Sequence, residues 1–328
     1  IGLPMTSVTS LFAPVDEDLR LLTDNLKQLV GARHPILGAA AEHLFGAGGK
    51  RLRPAIVLLA SRATMVGNDL TSYHRRLAEI TEMIHTASLV HDDVVDDSET
   101  RRNVATVNNL FGNRIAVLAG DFLFAQSSWY LANLDNLAVV KLLSEVIRDF
   151  AEGEIRQGLS QFDVELSITD YLEKSYYKTA SLIANSVKAA GVLSGVSPEI
   201  CDQLYHYGRN FGLAFQIVDD ILDFTATSEV LGKPACSDLK SGNLTAPVLY
   251  AFEEKPELKD LIENEFTGEG ELERAIALVK ESSGIERTRE LAAHHSHVAV
   301  ECLDHALKDS ASTQALRELA DYILRRLY

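Results

Sequence analysis

His91-Asp92-Asp93-Val94-Val95-Asp96-Asp97 closes an apolar, helix-patterned stretch with four aspartates in six residues. Asp92 and Asp96 are four apart, so on an α-helix their carboxylates lie one turn above the other on the same face. Such a pair repels itself unless a cation sits between the oxygens. Hard oxygen ligands in that arrangement suit Mg2+ shared with a phosphate-bearing substrate. Taken alone, the run reads better as a solvated acidic helix end. A second copy reverses that reading, because Asp219-Asp220-Ile221-Leu222-Asp223 repeats the DDxxD spacing 127 residues on, again inside an apolar helical segment. With 22 Asp in 328 residues, the pattern arises by accident roughly 0.1 times per chain. Two accidental copies are expected in well under one chain in a hundred.

Around these motifs the chain reads as helix after helix. Leu19, Leu22, Leu26 and Leu29 mark one face of a helix over Asp16 to Val30, which Gly31 and Pro35 end. Ile36 to Phe45 and Arg53 to Val66 follow, separated by Gly46-Ala47-Gly48-Gly49, and Thr71 to Asp97 carries the first acidic motif at its end. Asn113 to Leu134, Asp135 to Leu159, Thr169 to Leu193 and Pro198 to Phe224 are long helices. A loop from Thr225 to Asn243, rich in Gly, Ser, Pro and Lys, then interrupts the pattern, and loops of that length tend to be functional. Shorter helices over Ala246 to Phe252, Leu258 to Glu265, Glu271 to Glu281, Ile285 to Leu307 and Ser312 to Leu327 complete the chain. No stretch sustains period-two alternation, so no sheet is expected. The expectation is an all-α, single-domain helical bundle over residues 5–328.

Composition sets further bounds. The 46% hydrophobic residues suffice for one large core. A formal charge of -16 argues against a nucleic-acid partner and hints at cations. Cys201, Cys236 and Cys302 have neither paired nor CxxC spacing, which points to a reducing compartment and no zinc site. Ile1-Gly2-Leu3-Pro4 reads as a tag remnant ahead of a native Met5, with no signal-peptide or transit-peptide pattern after it. The apolar run from Ala55 falls short of the ~20 residues of a membrane span. A cytoplasmic protein without a transmembrane segment is expected, or a plastid-stroma protein if a transit peptide has been removed.

Cationic clusters complement the acids. Gly48-Gly49-Lys50-Arg51-Leu52-Arg53-Pro54 places three cations beside glycines at a helix start, where free backbone N–H groups also favour an anion. Arg101 and Arg102 follow the acidic run; they suit either the neighbouring carboxylates or a diphosphate. Lys178-Thr179 lie mid-helix, and Lys233 and Lys240 sit in the loop after the second motif. Each taken singly is ordinary surface. Together they describe a cavity for two anionic substrates, one bridged by metal and one held directly.

In these features the sequence resembles the trans-isoprenyl diphosphate synthases. The likeness runs from about Phe45 to the C-terminus. It rests on GGKRLRP, on Glu82 to His91 leading into DDVVDD, on Arg101-Arg102 and on Ala119-Gly120-Asp121. It continues through Lys178-Thr179-Ala180, Gly212 to Gln216 leading into DDILDF, Gly232-Lys233-Pro234 and Asp238-Leu239-Lys240. The subgroup looks like the long-chain synthases of cyanobacteria and plant plastids that make solanesyl-type side chains for quinones. The resemblance implies a homodimer and an Mg2+-dependent prenyltransferase that condenses isopentenyl diphosphate onto an allylic diphosphate, with possible peripheral membrane contact for product release. It also implies that Asp92, Asp96 and Asp219 ligate three Mg2+ ions, with Asp93, Asp220 and Asp223 supporting. Lys50, Arg53, His85 and Arg102 are then expected to bind isopentenyl diphosphate. Arg101, Lys178, Gln216, Lys233 and Lys240 would hold the allylic diphosphate, and Thr179 would line the path of the cation.

The growing chain is expected to run along the helix of the first motif past Ser88, Ala87 and Ile84. In the family a bulky aromatic five residues before the first Asp closes this path and gives short products, and here Ala87 stands at that position. An open pocket and a product of about C40 to C50, solanesyl favoured, follow by that analogy. The chain departs from the family pattern at Asn103, commonly glycine, at Ala105, commonly proline, and at Cys236, commonly glycine or alanine. These put local loop shape in question and leave the charges in place.

Several features carry weaker readings. Glu82-xx-His85 is half of a di-iron motif whose second half is missing. His294, His295 and His297 read as an exposed helix rather than a metal site, Trp129-Tyr130 as core or dimer interface, and Glu263 to Glu273 as a solvated face. Competing functions are a geranylgeranyl or farnesyl diphosphate synthase, a terpene cyclase, a regulatory subunit of a heteromeric synthase, and a purely structural bundle. The intact second aspartate motif argues against the cyclase and against a noncatalytic subunit.

Overall fold

The structure, a computed structural model, describes residues 8–46 and 49–327. Ile1–Pro4, Met5, Gly48 and Tyr328 lie outside the described residues. Helices dominate: α1 (Val8–Leu11), α2 (Asp16–Val30), α3 (Pro35–Gly46), α4 (Leu52–Thr64) and α5 (Ser72–Val95) open the chain. After β1 (Thr100–Arg101) and β2 (Val104–Ala105) come α6 (Val107–Phe111), α7 (Asn113–Ala132), α8 (Leu137–Leu159), α9 (Ile168–Ser175), α10 (Ser181–Ser194) and α11 (Pro198–Thr225). The chain ends with α12 (Ser228–Leu231), α13 (Ser237–Lys240), α14 (Ala246–Ala251), α15 (Glu257–Glu263), α16 (Glu271–Glu281), α17 (Gly284–Ala306) and α18 (Ala311–Arg325).

Besides the short helix α6, which the sequence reading lacked, three details differ from it. A two-stranded antiparallel hairpin exists, with Thr100 opposite Ala105 and Arg101 opposite Val104. Its strands are too short to show alternation. Its two-residue turn, Arg102-Asn103, has φ of 51° and 62°, the mirror-image turn that fits strand twist. Secondly, the helix expected over Thr169 to Leu193 is broken by one π-helical turn, Tyr176–Ala180. Thirdly, the loop after the second motif contains the short helices α12 and α13.

The contacts divide the chain into two compact units. The first takes in the chain up to Ile147, Leu182–Tyr205 and Leu303–Leu319. Its centre is α5, which packs on α4, α7, α2 and α6. Leu77, Ile80, Met83, Ile84 and Ala87 are fully buried along it, each large one contributing on the order of 1.5–3 kcal/mol by burial. Thr71 starts α5 with a capping box in which its hydroxyl accepts from the His74 N–H, a device of about 1 kcal/mol. α7 is long and apolar enough to cross a membrane by length and composition alone, and one side of it packs on α5.

The second unit takes in Arg148–Ser181, His206–Cys302 and the chain from Ala320. Within it Leu213, Ala214, Ile217, Val218 and Ile221 are fully buried on α11, and α14 packs on α9 and α16.

Candidate active site

The last turn of α5 is clamped in place. Val90 belongs to a buried cluster with Ala40, Val107, Ala116 and Ala119, against which Val94 packs. The His91 ring donates to the Val117 carbonyl at 2.9 Å. It lies so close to Gly120 that a Cβ there would come within 2.3 Å of Nε2, so a side chain at position 120 would displace it. This fixes the direction of the acids. Asp92 is half-buried and Asp96, the C-cap, is exposed; its N–H donates to the Asp92 carbonyl at 2.8 Å. Asp93 points the other way and is buried, gripped by the Arg101 fork through Nε at 2.9 Å and Nη2 at 2.7 Å.

Behind it lies a cationic cavity lined by Arg51, Glu82, His85, Asp93, Arg101 and Arg102. Arg53 Nη1 stands 3.3 Å from His85 Nε2, and Arg51 pairs with the buried Glu82 at 2.6 Å. Burial, then Arg53, Arg102, Arg101 and Arg51, push the His85 imidazole well below its usual range, so it is neutral at pH 7. The left-handed backbone at Arg102 lays its guanidinium over Gly49, where a Cβ would come within 2.6 Å of Nη1. Lys50 is exposed. A neutral ring framed by guanidinium groups is suited to an anion with both acceptors and a protonatable oxygen. Ile84 and Ala87 are fully enclosed, whereas Ser88 is half-buried and donates to the His85 carbonyl at 2.6 Å.

In the second unit, α11 divides its aspartates in a related way. Asp219 is half-buried, with Oδ1 3.1 Å from Arg326 Nη2. Asp220 is buried and accepts from the Tyr171 hydroxyl and from Gln216 Nε2 at 3.0 Å. Gln216 in turn accepts from Thr179 at 2.6 Å, which joins the π-turn to the motif. Such single π-turns often sit at functional sites. Gly212 makes the approach possible, since a Cβ there would come within 2.6 Å of Ala180 Cα. Burial, then the charge of Asp238, lift Asp220 to about 7.

Asp223 is also buried and ties down the following loop, with Lys233 Nζ, Ser237 Oγ and the Asp238 N–H each at 3.4 Å. Burial and then Asp238 raise its carboxyl as well. At the far end of the loop the buried Lys174 donates to Asn243 at 2.8 Å. Lys178 and Lys240 are exposed.

Sequence reasoning missed Tyr171, Lys174 and Arg326, and gave Arg51, Glu82 and Asp238 no role. The His294 to His297 stretch was expected to be an exposed helix, but His295 is buried, 2.9 Å from Asn210 Oδ1. Among the described residues no three His, Cys, Asp or Glu side chains converge as a metal cage. The outward acids Asp92, Asp96 and Asp219 nevertheless offer the hard oxygens that Mg2+ prefers. That ion is commonly held by one or two carboxylates together with substrate phosphates and water, so the donor set fits it.

The polyprenyl synthetase family model matches residues 34–279. A prenyl transferase of Synechocystis sp. is 70% identical over 324 residues, covering 99% of this chain and 100% of that protein. Solanesyl-diphosphate synthase 2, chloroplastic, of Oryza sativa subsp. japonica is 56% identical, covering 98% of this chain and 80% of that one. The crystal structure of a polyprenyl synthase from Caulobacter crescentus, complexed with calcium and isoprenyl diphosphate, superposes with a TM-score of 0.91 at 34% identity and full coverage of both chains.

Proposed function

The chain belongs to the polyprenyl synthetase family, and from that premise we propose a division of labour among its residues in long-chain trans-prenyl diphosphate synthesis. It is a trans-prenyltransferase that elongates an allylic diphosphate with isopentenyl diphosphate. The observation that carries the residue assignment is the way each motif sorts its acids. In both, the second aspartate is buried and held by a protein donor, Arg101 for Asp93 and Tyr171 for Asp220, while Asp92 and Asp219 are half-buried, the latter beside Arg326, and Asp96 is exposed. These three hold Mg2+, and Asp93, Asp220 and Asp223 orient their neighbours. The bound metal supplies Lewis-acid stabilisation of the leaving diphosphate.

Arg101, Lys178, Gln216, Lys233 and Lys240 receive the allylic diphosphate as its C–O bond breaks, an electrostatic task that needs no protein nucleophile. Thr179 lines the path of the resulting allylic cation. Lys50, Arg53, His85 and Arg102 orient isopentenyl diphosphate so that its double bond meets that cation, and the departing diphosphate takes the proton. The loop from Thr225 to Asn243 excludes water, which would otherwise capture the cation. Ala87, Ser88 and Ile84 border the growing product, of about C40 to C50 by analogy.

A second copy of the chain is proposed to cover the exposed Val117, Leu118 and Trp129 of α7. A role in quinone side-chain synthesis, in a cyanobacterial-type cytoplasm or a plastid stroma, accords with the kinds of relatives. Purified protein incubated with farnesyl or geranylgeranyl diphosphate, isopentenyl diphosphate and Mg2+ is expected to form longer polyprenyl diphosphates. Absence of elongation would refute the assignment.

A further inference from the structure

The guanidinium of Arg326 occupies the outward acid of the second motif. Its Nη2 lies 3.1 Å from Asp219 Oδ1, and its Cζ lies 5.3 Å from the centre of the Phe215 ring. Phe215 and Asp219 are four apart on α11, so one helix face presents both the ring and the carboxylate. Arg326 follows directly on α18, and its arm is short and pinned. Its N–H donates to the Ile323 carbonyl at 3.3 Å, Ile323 is buried, and Ser296 donates to the Ala320 carbonyl at 2.9 Å. The backbone that carries Arg326 is thus held close to α11, and its side chain rests on both Phe215 and Asp219.

We propose that Arg326 makes metal loading at Asp219 depend on diphosphate. This rests on the reading of Asp219 as a metal ligand. A divalent ion held by the Asp219 carboxylate would stand about 5 Å from the guanidinium, close enough to feel its charge. At that separation, with the dielectric of water and partial screening by salt, a single and a double positive charge repel enough to weaken binding about five- to tenfold. A bound diphosphate reverses the sign, because its anionic oxygens are attracted by both the metal and the arginine. Arg326 thus disfavours the bare cation and favours the metal–diphosphate complex. It acts as a specificity residue for the form in which the metal arrives. A purely structural C-terminal staple would alter stability without coupling the two ligands.

Equilibrium dialysis of Mn2+, a stand-in for Mg2+, tests this on the full chain, alone and with an equal amount of inorganic diphosphate. Without diphosphate, Arg326→Gln is expected to bind Mn2+ about five- to tenfold more tightly than the unaltered protein. With diphosphate the advantage should vanish or reverse. Arg326→Lys, which keeps the charge, should behave as the unaltered chain, and retained helical circular dichroism would show that the variants fold. Equal or weaker Mn2+ binding by Arg326→Gln without diphosphate would overturn the proposal, provided Asp219→Asn lowers Mn2+ retention. If Asp219→Asn changes nothing, the assignment of Asp219 as a ligand fails and the proposal falls with it.

Discussion

Replacing Asp220 with Asn should make the protein more stable at pH 8 while leaving it near parity at pH 5. In the folded chain burial and the Asp238 charge hold the Asp220 carboxyl at about 7 instead of 3.8. Between those values the folded chain keeps a proton that the unfolded chain gives up, so stability falls as pH rises from about 4 to about 7 and is flat above. Three units at about 1.4 kcal/mol each set an upper bound of about 4 kcal/mol on that loss. Asn cannot ionise and escapes it. The replacement costs about 1 kcal/mol, because the amide cannot accept from both Tyr171 and Gln216 without turning a donor toward one of them.

The net advantage at pH 8 is therefore at most about 3 kcal/mol, and near pH 5 the two terms roughly cancel. Thermal melts of both proteins in chelator-containing buffers between pH 5 and 8.5 measure it, as a difference in midpoint that opens by several degrees with rising pH. Parallel curves, or a variant that loses ground as pH rises, would show that Asp220 is carried as a well-solvated carboxylate and is free to act as a ligand.

Ala87→Phe places an aromatic side chain at a fully buried position of α5. It should cost about 1–3 kcal/mol by overpacking and shift the product toward C20 or less, read by chromatography of the dephosphorylated product; an unchanged length would exclude Ala87 from the chain's path. Gly212→Ala drives a methyl to 2.6 Å from Ala180 Cα. Backbone must move, so a loss of about 1–3 kcal/mol in a urea titration should come with a raised KM for the allylic substrate. Glu82→Gln removes the charge that holds Arg51 at 2.6 Å and should cost about 1–3 kcal/mol. It should raise KM for isopentenyl diphosphate more than it lowers kcat.

The helical frame was legible because apolar residues recur at three and four. Of the face read from Leu19, Leu22, Leu26 and Leu29, Leu22 and Leu26 are buried, Leu19 and Leu29 are half-buried and Val30 goes inside in place of Leu29, while α2 itself spans Asp16–Val30. Features without a period stayed hidden. The β1–β2 hairpin has two residues per strand, and its Arg102-Asn103 turn lacks the glycine that usually announces it. The π-turn at Tyr176–Ala180 has an ordinary helical composition. His295 could have been placed inside, since Thr288, Ala292 and Ala299, also buried, share its helical face.

At the site, the residue types and spacing of the acids were readable locally. Their partners Tyr171, Arg101 and Arg326 were not all equally so. Arg101 follows closely enough to be noticed, while the other two come from distant helices and owe their positions to packing. The distinction between outward and buried aspartates needs the direction of each helix face, which DDxxD alone does not give.

Both motifs are proposed to serve the same metal-dependent step, and a double-substitution cycle measures that directly. Asp92→Asn and Asp219→Asn are assayed singly and together for kcat/KM with farnesyl diphosphate at saturating Mg2+. Groups that act as one unit are strongly non-additive. Each single variant should lose orders of magnitude, and the double variant hardly more than the worse single. Multiplicative losses, or a single variant that keeps most of its activity, would show that the two aspartate motifs do not serve one step.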